Sequence, residues 1–151
     1  MIRQRLNDAL KAAMKAKEEL SVSTLRLILA ALKDRDIAAR SKGKTDGIAD
    51  DDVLGLLQSM IKQRRESIAA YEKGGRKDLA DREAGEIAVI EGFLPQQISE
   101  AEMTKAIDSV IQEVGAASLK DMGKAMAALK QQFAGRMDFA KAGALVKQRL
   151  S

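Results

Sequence analysis

A single proline, Pro95, interrupts 151 residues, and on both sides of it apolar side chains recur every three or four positions. That spacing lines one face of a helix, whereas a half-buried strand would alternate. Leu6, Leu10, Ala13 and Met14 mark a first segment, and Val22, Leu25, Ile28, Leu29 and Leu32 a second. The polar stretch "SKGKTDGIADD" then intervenes. Asp50 to Asp52 stand where the positive end of a helix dipole favours negative charge. Val53, Leu57, Met60, Ile61, Ile68 and Tyr71 form a third face ended by Gly74 and Gly75; Leu79, Ile87, Ile90 and Leu94 form a fourth. The third stripe admits a heptad reading but is too short to require a coiled coil.

Proline lacks the amide hydrogen a helix interior needs and drives the preceding residue out of the α region, so Leu94 is expected to end its helix. Ser99 and Glu102 then fit a capping box, a start signal about four residues on. Stop and start so close together predict a joint between helices, and a candidate joint between domains spanning 1–94 and 95–151; a turn inside one bundle is the plainer alternative. Beyond the joint, Met103, Ala106, Ile107, Val110, Ile111 and Val114 form one stripe closed by Gly115. Leu119, Met122, Met126, Leu129 and Phe133 form the next, with Ser118 and Asp121 as a candidate cap. Asp138 is placed to cap a last helix facing inward through Phe139, Ala142, Leu145, Val146 and Leu150. The expected fold is all-α: about four N-terminal helices and a three-helix tail. Short β-branched runs and 3% aromatic residues agree with helix over sheet.

The net charge of +4 is unevenly spread. From residue 118 onward Lys120, Lys124, Lys130, Arg136, Lys141, Lys147 and Arg149 face only Asp121 and Asp138, a balance of +5, whereas residues 95–117 carry one lysine against four acids, −3. A concentrated positive surface attracts polyanions, with nucleic acid the commonest choice; a solvated lysine-rich face is the bland alternative. Lys62, Arg64 and Arg65 form a second basic cluster, for which a structural role, arginine stems covering an apolar stripe, is the favoured reading. One tyrosine and three phenylalanines leave no platform for stacking bases, so any RNA would be read through shape and backbone.

Familiar catalytic sets are excluded by counting. There is no cysteine and no histidine, hence no disulfide, thiolate, zinc-thiolate site or imidazole base. Gly123-Lys124 fails as a phosphate-binding loop, because Ser118 stands where the first glycine belongs and Ala125 where serine or threonine belongs. Glu83 with Glu86, and Asp50 with Asp52, are paired carboxylates without a recognisable ligand set. No cofactor, metal site or catalytic residue is expected. No apolar run is long enough to cross a bilayer, and "MIRQRLNDALKAAMKAK" lacks the apolar core of a secretion signal, which places the protein in the cytosol. A membrane-surface role for 138–151 conflicts with the need for its apolar face in the tail core.

"STLRLILAALKDRDIAAR", "IKQRRESIAAYEKGGRKDLADRE", "FLPQQISEAE" and "LKDMGKAMAAL...AGRMD" closely resemble the YqeY-like family, in family order across nearly the whole chain. The C-terminal part of that family is similar to the tail of the GatB component of the glutamine-dependent tRNA amidotransferase. The resemblance implies a helical N-terminal domain, a three-helix tail, and a non-catalytic tRNA-binding role for that tail. Phosphorylation and ammonia handling belong to other domains of the amidotransferase. The implied contacts are Lys120, Gly123, Lys124, Gly135 and Arg136, to which the charge reading adds Lys130, Lys141 and Lys147. Implied partners are tRNA and amidotransferase or other tRNA-linked proteins; a protein-interaction adaptor is the alternative. This chain departs from the commonest family form at Gln131, where proline is usual, and at Met137, Asp138 and Phe139, where Ala-Asp-Gly is usual, so the loop bearing Arg136 is expected to be posed differently. Gly123 and Gly143, inside helices, are expected to permit close helix approach, with exposure of backbone to a phosphate as the sharper alternative.

Overall fold

A computed structural model describes residues 1–151, all of them in helices or their connections. The helices are α1 (Ile2–Ala16), α2 (Glu19–Arg40), α3 (Asp50–Lys73), α4 (Lys77–Glu91), α5 (Glu100–Val114), α6 (Met122–Phe133) and α7 (Phe139–Leu150), with a 3-10 turn at Leu119–Asp121 before α6. They divide into two compact units, Met1–Leu94 and Pro95–Ser151.

In the first unit α1 and α2 pack as a hairpin and α3 packs along α4. Their apolar stripes meet in a core that includes Leu6, Ile28, Val53, Leu57 and Ile90, all fully buried. Each such aliphatic side chain stabilises the fold by about 2 kcal/mol through water exclusion. Met14, expected on the inward stripe, is instead 51% exposed. It lies in the last turn of α1, where the chain reverses through Lys17 in the left-handed conformation, φ 57°. The Lys17 and Glu18 amides donate back to the Met14 and Ala13 carbonyls, closing the helix end.

A polar clamp ties the long connection after α2 to both hairpin helices. Arg3 Nη1 donates to Asp36 Oδ2 at 2.6 Å, and Arg3 Nη2 donates to Asp36 Oδ1 and to the Ile48 carbonyl at 2.8 Å each. The Ile48 amide closes the ring on Asp36 Oδ1 at 2.9 Å. Gly47 lies against this cluster with φ +90°, and a Cβ there would meet Asp36 Oδ1 at 2.7 Å and Arg3 Nη2 at 2.8 Å. The position is therefore closed to other residues by both conformation and space.

The Arg3 hydrogen bonds foremost, then the Ile48 amide, hold the Asp36 carboxyl down from 3.8 to about 2. A depressed carboxyl contributes stability that is complete above its unfolded value and is lost as pH falls through the folded one. Allowing for partial exposure, that contribution is about 1–2 kcal/mol. Asp36→Asn should lose it at neutral pH and flatten the stability profile between pH ~4 and ~2, read by urea unfolding across that range.

The end of α4 differs from the expectation at Leu94. The helix stops at Glu91, and Phe93 and Leu94 donate to Ile90 and Glu91 in tighter i→i−3 bonds. Arg5 holds this turn, its guanidinium donating to the Gly92 carbonyl at 3.1 Å and lying 5.4 Å from the Phe93 ring centroid.

In the second unit Ser99 caps α5, its Oγ accepting from the Glu102 amide at 3.1 Å. The Glu102 carboxylate accepts from the serine hydroxyl at 3.3 Å instead of reaching a backbone amide as expected. Gly115 ends α5 in the left-handed conformation, φ 66°. Ser118 caps nothing, because the 3-10 turn occupies the expected helix start; this turn carries Leu119 outward, 48% exposed against the inward position predicted. Asp138 caps α7, accepting from Ala140 and Lys141. Ile107, Val110, Ala125, Leu129, Met137, Ala142 and Val146 fill the core.

Candidate nucleic-acid interface

α6 carries Lys124 and Lys130, α7 carries Lys141, Lys147 and Arg149, and neither helix contains an acid. The two acids flanking them are occupied by backbone. Asp138 accepts from the first amides of α7 at 2.9 and 3.3 Å. Asp121 accepts from the Ala117 amide at 2.9 Å, and that bond first, with Lys124 contributing, lowers its carboxyl pKa. Lys120, Lys124, Lys130 and Lys147 are exposed and form no ion pair. Lys141 approaches Glu100 at 3.9 Å and Arg149 approaches Asp108 at 3.5 Å, both across exposed α5 positions where such pairs are worth little.

The cations do not form a single row. Lys124 and Lys130 are six residues apart, as are Lys141 and Lys147, so each pair is splayed by about 120° on its helix. The lysines fan over the outward arcs of α6 and α7, a spread suited to several phosphates of a broad polyanion and unsuited to one small anion. Gly123 lies exposed in the first turn of α6 with no atom within 4 Å of an added Cβ, which overturns the packing role expected for it. A Cβ added at Gly143 would meet Met126 and Met122 of α6 at 3.7 and 3.9 Å, ordinary contact distances.

Gly135 and Arg136 are separated from that surface by the work they do inside the unit. Gly135 is buried with φ 75°, and its carbonyl accepts from Gln97 at 2.6 Å. Arg136 Nε donates to the Gln96 carbonyl at 3.0 Å, and its own carbonyl accepts from the Ile98 amide at 3.0 Å. Its guanidinium lies 5.7 Å from the Phe133 ring centroid. The loop between α6 and α7 is thus latched to residues 96–98, which corrects the placing of Gly135 among accessible contacts and gives Arg136 a structural task. Met137, one of the departures, directly follows this latched pair, and its side chain is 1% exposed in the core.

The second basic cluster disperses. Arg64 is drawn between α3 and α4, its Nε 3.3 Å from Glu86 and 3.9 Å from Glu83, with Nη1 donating to the Met60 carbonyl at 3.2 Å. Its side chain is 13% exposed, engaged by two carboxylates and a backbone carbonyl instead of only covering the stripe. Arg65 pairs with Glu91 at the surface, 3.4 Å, and only Lys62 stands exposed without an ion pair. Glu83 and Glu86, the paired carboxylates of the sequence, are joined by Arg64. No group of three or more acids is arranged to hold a metal ion, and no helix is long and apolar enough to cross a membrane.

Residues 3–150 match the family described as Yqey-like protein. The chain is 34% identical over 111 residues to "Altered inheritance of mitochondria protein 41, mitochondrial" of Lachancea thermotolerans, covering 72% of this chain and 57% of that protein. It is 32% identical over 124 residues to the protein of the same name from Vanderwaltozyma polyspora, covering 78% and 64%. An uncharacterised protein of Schizosaccharomyces pombe is 32% identical over 99 residues, 66% of this chain and 73% of its own. The chain thus spans less than two thirds of the first two relatives. Their names place those proteins in mitochondria and overturn the cytosolic assignment.

Proposed function

The chain belongs to the YqeY-like family, and from that membership we propose that it is a tRNA-binding helical protein whose α6–α7 surface holds phosphates. The observation that carries the reading is the absence of acids from α6 and α7, combined with the engagement of Asp121 and Asp138 by backbone amides. Such a surface keeps its positive potential outward. The choice of tRNA over other polyanions rests on the resemblance of the tail to that of the GatB component of the amidotransferase. The role is one of binding, through Lys120, Lys124, Lys130, Lys141 and Lys147, with Gly123 leaving backbone open beside them. The units 1–94 and 95–151 act in this reading as separate domains, the second holding RNA.

Filter binding of bulk tRNA to the full chain across a salt series tests the reading. With about four phosphate contacts, affinity should fall roughly a hundredfold between about 50 and 200 mM salt. Replacing Lys124 and Lys130 by alanine should weaken binding about tenfold and reduce the salt slope by about 2. Lys62→Ala should change neither. Absence of tRNA retention at low salt, or a salt slope indifferent to the α6 lysines, would refute the proposal.

A further inference from the structure

The outward face of α2 carries an apolar seam left open to solvent. Leu27 and Ile37 are 49% and 50% exposed, while Leu20, at 37%, begins the row with its tip against α4, where a Cβ added at Gly85 would meet it at 2.7 Å. With Ser23, Ala30 and Asp34 they follow the three-and-four alternation of a helix-pairing stripe over the length of this 22-residue helix. Beside the seam Arg26, Lys33 and Arg40 recur at intervals of seven, which aligns them along one edge. All three are exposed and form no ion pair within the chain. A cavity of about 280 Å³ adjoins this edge: Lys33, Ile37 and Arg40 line it together with Leu29, Leu32, Asn7 and the Arg3–Asp36 pair. Seam, cationic edge and cavity are therefore continuous through Ile37.

We propose that this face of α2 docks an amphipathic helix of another protein, one with apolar residues at three-and-four spacing and a row of aspartates or glutamates along one edge. Its apolar stripe would lie on Leu20, Leu27 and Ile37, and its acids would meet Arg26, Lys33 and Arg40. The cavity, which already holds the Asp36 carboxylate, would take one apolar side chain against Leu29 and Leu32. Asp34, inside the seam, fixes the register by requiring a polar or basic residue opposite it.

A second copy of this chain fits less well. The seam is symmetric about the Ile28–Leu29 bond, so an antiparallel copy pairs Leu20 with Ile37 but brings Arg26 near Lys33 twice. A parallel copy sets the cationic row beside Ala31 and Ala38, with no acid to receive it. An anionic lipid surface would have to bury Asp34 and would leave the concave cavity unfilled.

The probes are two synthetic three-heptad helices with a leucine stripe, one bearing glutamate along its edges and one bearing lysine, each kept monomeric by its own like charges. Titrated by fluorescence anisotropy against the full chain, the glutamate peptide should bind at least about tenfold more tightly than the lysine peptide. Leu27→Glu with Ile37→Glu should abolish binding, while Arg26→Glu, Lys33→Glu and Arg40→Glu together should reverse the preference. An unchanged helical circular dichroism signal and urea midpoint serve as the fold control for each variant. Equal binding of the two peptides, or none by either, overturns the proposal. So does a dimer by sedimentation that Leu27→Glu dissolves, or a preference for anionic vesicles over both peptides.

Discussion

Arg64→Met should cost the first unit about 3 kcal/mol, and Arg64→Met combined with Glu86→Leu should recover most of that loss. The reason lies in what the substitution leaves behind. The Glu86 side chain is 9% exposed and has Arg64 as its ion partner, so removing the cation strands a carboxylate away from water. Replacing both partners by apolar groups removes the stranded charge with the pair, a change that is often close to neutral. Glu83 adds a pH signature. Burial first, then the neighbouring Glu86 charge, raises its carboxyl above the usual glutamate range while Arg64 opposes them. A raised carboxyl contributes stability that is complete below its unfolded value and lost as pH rises through the folded one. Without Arg64 that upward pull is unopposed. The deficit of the single variant should therefore be greatest at neutral pH and shrink toward pH ~4, as urea titrations of both variants would show. A deficit independent of pH, with no rescue in the double variant, would mean that Arg64 acts by packing alone.

Met137→Ala should destabilise the second unit by about 2–4 kcal/mol, the range for truncating a buried methionine in a core that cannot close around the gap. Met137 is 1% exposed and follows the latched pair Gly135-Arg136, so the cavity would open beneath the loop that the Gln97 and Ile98 bonds hold down. Met137→Leu, close in volume, should cost less than about 1.5 kcal/mol. Hydrogen exchange followed segment by segment gives the reading. Faster exchange confined to 95–151 is the expected result and would support two separately folding domains. Equal acceleration in 1–94 would show one cooperative body instead. The alanine variant should also lose tRNA in proportion to its unfolded fraction, whereas lysine variants lose it while fully folded.

The helices were legible because each carries its own repeat: the stripes through Leu6, Leu25, Leu57, Ile107, Leu129 and Val146 all point inward. Local rules also located Asp138 and Ser99, whose side chains reach amides two or three residues away. Failure came at the edge of a stripe and at a helix start. Met14 lies inside α1 but about 80° round the helix from Leu6 and faces solvent, and a 3-10 turn carries Leu119 outward. Long-range partners were illegible. Nothing near Arg64 in sequence announces Glu86, 22 residues on, and nothing near Arg136 announces Gln96, 40 residues back. Within the basic cluster, sequence could count charges but could not tell that Arg136 is engaged in the loop while Lys124 and Lys130 are free. The departure at Met137 was visible as a difference, and the burial of its side chain in the core required the fold.

Asp121 and Asp138 close one avenue by which this chain could become more cationic. Amide or alanine substitutions there would each add a unit of positive charge beside the lysines, and on charge alone should improve capture of a polyanion. Yet Asp138 starts α7 and Asp121 fastens the turn before α6, so the same substitutions loosen the platform on which the lysines stand. Stronger attraction at either position comes with a softer support, and gains in grip would have to be sought on the outward arcs, at Gln131, Ala144 or Gln148.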